Sequence, residues 1–394
     1  MTKRVLVIGA GITGVMSAYF AAKKGYAVTV VDQERYAGMR TSFANGGQIS
    51  VSNSEVWTTH SNVLKGIKWM FKKDAPLLFR LWRLDWPMWR WIAKFLYYTY
   101  TGAYRANTEQ TIKLGLESRK LYDVICAEEK IKFDRDNCGI VHFYKSENYW
   151  QSAVSATELY ADNGLDRVEI PVEQMTKLDP SLRDIQDCVG ATFTASDWTG
   201  DIHKFCYELM DILEKKYQVV FHNTCKVNSL TAYSTAFDAV IVSAGVGSEQ
   251  LANSVGDRLD VYPVKGYSIT INNVKPPAVS LLDDEAKIVT SSLGNRFRVA
   301  GTAELAGENY DIRRDRIEPL LNWVHENFPN MNTHDYSQWA CLRPMTPNMM
   351  PIVKKSTNNQ KVFYNTGHGH LGWTLAPVTA KQVVELIDAD NENR

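Results

Sequence analysis

Arg4-Val-Leu-Val-Ile-Gly9-Ala-Gly11-Ile-Thr-Gly14-Val15 stands near the head of the chain. The four aliphatic residues Val5 to Ile8 read as a strand buried on both faces, the pattern of a parallel sheet. Glycines follow at once in the spacing G-x-G-x-x-G. Val15 to Lys24 then has helical character and stops at Gly25. A second β-rich run, Ala27 to Val31, closes in Asp32. This is a complete βαβ unit. Gly9 permits the tight turn, Gly11 lets the backbone approach a pyrophosphate at the positive end of the helix, and Gly14 lets helix and strand pack closely. Asp32, followed by Gln33, is placed to accept a hydrogen bond from a ribose hydroxyl.

Two more glycine clusters lie far along the chain. Ser243-Ala-Gly245-Val-Gly247 follows the short apolar strand Ala239 to Val242. Gly367-His-Gly369-His-Leu-Gly372-Trp-Thr374 follows the strand Val362 to Asn365 and precedes a helix expected from about Ala376 to Asp388. A nicotinamide enzyme usually keeps one contiguous binding domain. Distant segments that return to the first unit suit FAD held by a discontinuous domain. The expected class is α/β: a Rossmann-like, glutathione-reductase-type FAD-binding domain interleaved with an α+β substrate domain that carries an antiparallel sheet. Residues 1–50, 195–255 and 335–394 are assigned to the first, 51–194 and 256–334 to the second. In the second, Lys265 to Ile271 and Arg296 to Ala300 alternate like sheet strands. Thr108 to Glu129 reads as a long amphipathic helix.

The 394 residues hold 44 Lys+Arg and 44 Asp+Glu, so no global charge draws the chain to nucleic acid or another polyanion. Six cysteines without a C-x-x-C pair argue against a disulfide framework or a zinc site and for a reducing compartment. No metal is expected. Val5 to Ala10 is too short for a signal-peptide core, and no apolar run reaches the length of a spanning helix. The expected location is the cytoplasm, including the inner face of the cell membrane. One stretch is biased: residues 65–105 carry nine Lys/Arg against two Asp, with 12 aromatics, among them Trp69, Trp82, Trp86, Trp89 and Trp91. Aromatic rings at headgroup depth with basic residues on anionic lipid would make this a membrane-surface contact. An amphipathic helix pair covering the substrate domain is the equal alternative.

Seven blocks carry a family likeness: Val7 to Gly14, Thr41-Ser-Phe-Ala-Asn-Gly-Gly-Gln-Ile-Ser50, Leu64-Lys-Gly-Ile-Lys-Trp-Met70, Thr199-Gly-Asp201, Val261-Tyr-Pro-Val-Lys-Gly-Tyr-Ser-Ile-Thr270, Arg343-Pro-Met-Thr-Pro347 and Gly367 to Thr374. With these blocks in this order, the chain resembles the FAD-dependent D-amino acid oxidoreductases, closest to the small-subunit type of bacterial D-amino acid dehydrogenase. The resemblance implies oxidative deamination of a D-amino acid to a 2-oxo acid and ammonia, by hydride transfer to non-covalent FAD. It also implies a quinone or other respiratory electron acceptor. Similar sequences occur among proline and hydroxyproline dehydrogenases and glycine oxidases. A non-catalytic flavoprotein subunit is the alternative of another class. Three places depart from the family pattern: His370, where a small residue is usual, Ser50 to Glu55, and Asn348-Met-Met350.

The flavin carries such chemistry, so no catalytic side chain is assigned, and no Ser-His-Asp set is evident in the sequence. Arg343 is expected to anchor the substrate carboxylate through its guanidinium fork, with His370 and Tyr267 as further pocket residues. The cofactor contacts implied are Gly9, Gly11, Gly14, Asp32, Gln33 and Arg40, the turn Thr41, Ser42, Asn45, Gly46, Gly47 and Gln48, then Val227, Ala244 and Gly245. Gly367, Gly369, His370, Leu371, Gly372, Trp373 and Thr374 should lie at the pyrimidine end of the flavin.

Overall fold

The computed structural model describes residues 2–69, 77–79 and 85–392. Lys72, Lys73, Arg80, Trp82 and Arg83 of the basic aromatic stretch lie outside them.

Arg4–Ile8 is the central strand of a six-stranded sheet. Its neighbours are Ala27–Val31 on one side and Ala239–Val242 on the other. Val220–His222 flanks the first and Val362–Thr366 the second, and all five strands are parallel. Ile352–Lys355 adds an antiparallel edge. The aliphatic run is needed on both faces. Val5, Val7, Val28, Val30 and Ile241 pack into the core formed with helices Ile12–Lys23, Ile202–Tyr217 and Gly372–Glu392, whereas Leu6, Ile8, Val240 and Val242 pack on the opposite side with Leu230 and Leu251.

The second sheet has nine strands. Its path runs Tyr336–Met345, Tyr262–Ile271, Arg296–Leu305, Ile288–Leu293, Ser280–Asp283, Ile140–Tyr144, Gly190–Thr194, Arg167–Ile170. It is antiparallel except where Ser280–Asp283 meets Ile140–Tyr144 and where Leu77–Phe79 joins Arg296–Leu305. Helix Arg314–Asn327 covers one face with Ile317, Leu320, Trp323 and Val324. The other face turns toward the first sheet.

Two boundaries differ from those read in the sequence. Tyr336–Met345, assigned to the FAD domain, pairs along its length with Tyr262–Ile271. Helix Tyr104–Glu129, assigned to the substrate domain, buries Tyr122 and Ile125 in the core of the first sheet. Both elements cross the seam between the sheets, and local periodicity carries no record of which core an amphipathic face will join. The last helix begins at Gly372 and not near Ala376; Pro377 lies within it.

Helix Trp86–Tyr100 divides the aromatic stretch between the two readings. Trp91 is buried and donates its Nε1–H to the Met345 carbonyl (2.9 Å), and Met88 is buried beside it. Lys94 pairs with Asp260, and Arg90 with Asp260 and, at 3.6 Å, with Glu249, so the two cations are matched by two carboxylates. Trp86 (82 % exposed), Trp89, Ala93, Tyr97 and Tyr100 form one outward stripe at helical spacing. No helix among the described residues is long and apolar enough to cross a membrane.

Candidate active site at the seam of two sheets

The three glycine turns meet at the carboxyl ends of adjacent parallel strands, where ligands bind in open α/β sheets. Gly9 sits at φ +106°, and a Cβ there would collide with the Ser243 carbonyl; a Cβ on Gly14 would collide with that of Gly9. These two glycines are demanded by packing. Gly11 is not: its nearest foreign atom would be Ser42 Oγ at 3.5 Å, an ordinary contact. The room it leaves is room for something other than protein. Helix Ile12–Lys23 starts at Gly11 with no side-chain cap and no acid in its first turn. Only Ser42 Oγ answers the Ile12 N–H (3.1 Å). An uncapped, positive helix end over a bare backbone fits a dinucleotide pyrophosphate.

The Asp32 carboxylate accepts from Ala10 N (2.5 Å) and Glu34 N (2.7 Å), and burial raises its pKa. Each oxygen keeps a lone pair for a ribose hydroxyl. The backbone of Thr224 and Cys225 bonds to Glu34 and Asp32, which brings the half-buried Val227 to the same end. Gln33 is exposed. Arg40 is spent on an ion pair with Glu34 and on the Tyr310 ring, 4.6 Å from its centroid. Ala244 and Gly245 lie in the turn after Ala239–Val242, and the Gly245 carbonyl accepts from Thr366 Oγ1 (3.2 Å).

The turn from Thr41 to Gln48 lies between the sheets. Thr41 Oγ1 donates to the Leu342 carbonyl (2.8 Å), Ser268 Oγ to that of Ala44 (2.7 Å) and Ser291 Oγ to that of Gly46 (2.6 Å). Asn45 Oδ1 accepts from Gly47 N (3.0 Å). Cβ atoms on Gly46 and Gly47 would each come within 2.7 Å of Val289 or Ser291, so their smallness serves this docking. Gln48 gives its amide to the Leu281 and Thr290 carbonyls.

Val264, Gly266 and Ser268 share one face of their strand, and their partners Arg343, Cys341 and Trp339 share it on the next. Ser268 binds Ala44, and Trp339 packs on Phe43 with ring centroids 4.5 Å apart and planes tilted by 40°, so this face looks onto the turn. The Arg343 guanidinium lies flat over Gly266. Arg343 is half-buried and makes no ion pair among the described residues. Tyr267, expected in the pocket, turns away. It is buried on the opposite face, under helix Arg314–Asn327, and its hydroxyl donates to Glu304 (2.8 Å). The strand alternation that aims Gly266 and Ser268 inward requires this.

In the last turn, Gly367 (φ +75°) and Gly369 (φ +57°) press against Thr346 and Met345. Leu371 and Trp373 are core residues, Trp373 packing on Phe133 and Trp198, so only their backbone can face a cofactor. Thr374 Oγ1 accepts from Ser50 N (3.4 Å). His370 stacks on Trp57 (4.7 Å between centroids, 18° between planes), and its Nε2 meets the Asn53 carbonyl at 3.2 Å. Burial first, then the Arg343 and Lys287 charges, holds the imidazole down at about 4.

Beside His370 and the Asn53 carbonyl lies a polar cluster. Ser52 Oγ meets His142 Nε2 at 2.9 Å, and His142 Nδ1 lies 3.6 Å from Asp284, which pairs with Lys287. Arg167 bonds the Ser52 carbonyl and the Tyr144 hydroxyl, and Tyr104 donates to Glu55 (2.8 Å). Ser52 and His142 are buried, and burial holds His142 down at about 4. A nucleophile sealed this way reaches no substrate, so the set is a positioning network for the Ser50–Glu55 turn. The unusual composition of that turn was the one sequence signal for it. Asn53 shared that signal; Trp57 and Lys287 carried none.

The profile of the FAD dependent oxidoreductase (DAO) family matches residues 4–386. D-amino acid dehydrogenase 3 of Mesorhizobium japonicum is 43 % identical, over 98 % of this chain and 97 % of that protein. D-amino acid dehydrogenase of Paramagnetospirillum magneticum is 37 % identical, over 98 % and 94 %. Among solved structures, glycine oxidase from Geobacillus kaustophilus superposes with a TM-score of 0.77 at 17 % identity, covering 98 % of this chain and 95 % of that one. L-proline dehydrogenase from P. horikoshii gives 0.74 at 14 %, covering 98 % and 94 %. At such identities the structures speak to the fold alone.

Proposed function

The chain belongs to the FAD-dependent oxidoreductase family, and on that premise we propose that it oxidises a D-amino acid to a 2-oxo acid and ammonia and passes the electrons to a quinone. The observation that carries the reading is Arg343: a half-buried guanidinium without an acid partner among the described residues, on the sheet face turned toward the Thr41–Gln48 turn. A cation so placed, with donors in a planar fork, suits a carboxylate. The residues that would hold FAD are Gly9 to Gly14, Asp32, Ser42 and the backbone of the two later glycine turns. FAD, when bound, supplies the two-electron acceptor.

The protein's part is to bind and orient. Arg343 takes the carboxylate and so fixes the α-carbon. Trp57 and His370 wall the pocket, and the neutral imidazole adds no charge to repel the amine. Cys341 sits beside Arg343 with its thiol pushed up by burial and so protonated. Once the imine leaves, water hydrolyses it to the 2-oxo acid and ammonia.

The outward stripe of Trp86, Trp89, Tyr97 and Tyr100 supports a membrane-surface route to the quinone, because such rings partition to the headgroup region. The test of the activity is an anaerobic screen of D- and L-amino acids and cyclic imino acids, following the flavin absorption band. D-amino acids should bleach it. Bleaching only by L-forms or by cyclic imino acids overturns the substrate assignment.

A further inference from the structure

His370 has only one way to make its hydrogen bond. Its Nε2 faces the Asn53 carbonyl, which can only accept, so Nε2 carries the proton. Nδ1 is then a bare acceptor. It is buried and has no partner among the described residues. An acceptor left like this costs about 1–3 kcal/mol unless something supplies a donor. The ring cannot swing away to find one, because it is stacked on Trp57 and pinned at Nε2. The Asn53 end is fixed in turn: Asp197 accepts from Val51 N and Ser52 N (both 3.0 Å), and Arg119 pairs with Asp197. Such support, two layers deep, is what a positioned binding group requires.

Met345, two residues beyond Arg343 on the same strand, bridges to His368 and presses on Gly369, which brings the Arg343 strand against the His370 turn; Arg343 makes no ion pair among the described residues. Carboxylate anchor and bare acceptor thus belong to one pocket. An α-amino or α-imino acid carries, one carbon from its carboxylate, the N–H that the acceptor lacks. We infer that His370 Nδ1 accepts a hydrogen bond from the substrate nitrogen, so that the substrate is gripped at both its carboxylate and its amine. The inference rests on the reading of Arg343 as the carboxylate site. His370 stays neutral across the physiological range and keeps its lone pair available; the pinned tautomer also keeps that lone pair from being exchanged for an N–H. The grip selects ligands with an N–H next to the carboxylate over carboxylates without one.

The test compares two inhibitors on the FAD-loaded enzyme: benzoate, a bare carboxylate, and anthranilate, which adds an ortho amine. Their affinities are read from the change they cause in the flavin absorption spectrum, without turnover. The wild type should bind anthranilate about three- to tenfold more tightly than its His370→Phe variant does, with benzoate changed less than twofold. Phe keeps the ring stacked on Trp57 and lacks the acceptor. His370→Asn, with an amide oxygen for the amine, should recover part of the anthranilate advantage. An anthranilate-to-benzoate ratio unchanged in His370→Phe overturns the inference. So does a loss of flavin affinity in that variant with the ratio intact, which would aim Nδ1 at the cofactor. If benzoate binding is indifferent to Arg343→Ala, the reading of Arg343 falls instead, and the two failures are told apart.

Discussion

Gly266→Ala should weaken substrate binding without touching the substrate. Gly266 lies beneath the Arg343 guanidinium, and a Cβ added there would stand 2.5 Å from Nη2, 2.6 Å from Cζ and 3.0 Å from Nη1. Comfortable contact needs about 3.5 Å, so the guanidinium must move by about 1 Å. The strand itself need not move: Gly266 is outside the left-handed region, and the atoms it meets are the far end of a flexible side chain. Alanine also lowers the entropy of the unfolded chain, so the variant should be at least as stable as the parent. A displacement of this size in a positioning group costs up to about 10²-fold in rate. The expected result is kcat/KM for the best D-amino acid down by about 10- to 100-fold, benzoate affinity down in parallel, and flavin content unchanged. The decisive assay is the cycle with Arg343→Ala. In that background Gly266→Ala should cost nothing more, because the group it displaces is gone. If Gly266→Ala leaves benzoate affinity and kcat/KM intact, or weakens them equally in both backgrounds, Arg343 is not the carboxylate site.

Gly11→Val should give a folded, colourless protein, because the room at Gly11 is bounded by no protein atom nearer than Ser42 Oγ; a variant purified with stoichiometric flavin refutes the pyrophosphate assignment. His368 is buried against Thr379, and burial holds it at about 3, against an unfolded value near 6.5. Its folded pKa is lowered, so its contribution is whole above about pH 6.5 and is lost as pH falls toward the folded value, the unfolded chain taking up the proton that the native state refuses. At pH 5.5 that loss is about 1.4 kcal/mol. In urea unfolding, His368→Gln should lose less stability than the parent between pH 7.5 and 5.5 by about this amount, and equal losses would place the titration elsewhere. Co-sedimentation with anionic vesicles should fall in a Trp86→Ala/Trp89→Ala/Tyr97→Ala variant; binding equal to the parent, or none by the parent, makes the stripe ordinary surface. Trp91 is left out because it packs inward.

The glycine turn proposed to hold the nucleotide was legible as a fold element because its demands are local. A strand, three glycines and an acid at the right spacing describe one turn of backbone, and each glycine can be assigned a task from neighbours within a few residues. Arg343 was legible only through the likeness of its block, since nothing in Arg343-Pro-Met shows that the guanidinium will lie over Gly266 on the next strand. The misread residue follows from the same limit. Tyr267 sits one position from Gly266 and from Ser268, and whether the odd or the even positions face the cofactor is decided by Ser268 reaching Ala44. Gly46, Gly47 and Gln48 were expected to serve the flavin through close approach; in the structure their smallness and the glutamine amide serve the docking of the turn on strand Ile288–Leu293.

The Ser50–Glu55 turn ties these observations into one dependency. Asp197 draws in the backbone of Val51 and Ser52, His142 and Arg167 hold Ser52 from the second sheet, and Tyr104 and Tyr160 hold Glu55 from two helices. What the turn presents is the Asn53 carbonyl, and that carbonyl sets the tautomer of His370. Burial raises Asp197 and Glu55 and lowers His142, so the network holds charged or polar groups where isolation would be expensive; Asp197, Glu55 and His142 Nε2 are met by partners, while His142 Nδ1 makes no hydrogen bond among the described residues. A patch that only filled space would use aliphatic side chains. Polar groups at this density fix orientation, and the orientation they fix is that of the His370 imidazole. The Asn53 carbonyl and the ring it pins act as a unit, so exchanging the Ser50–Glu55 turn or His370 alone should disturb binding more than exchanging both together.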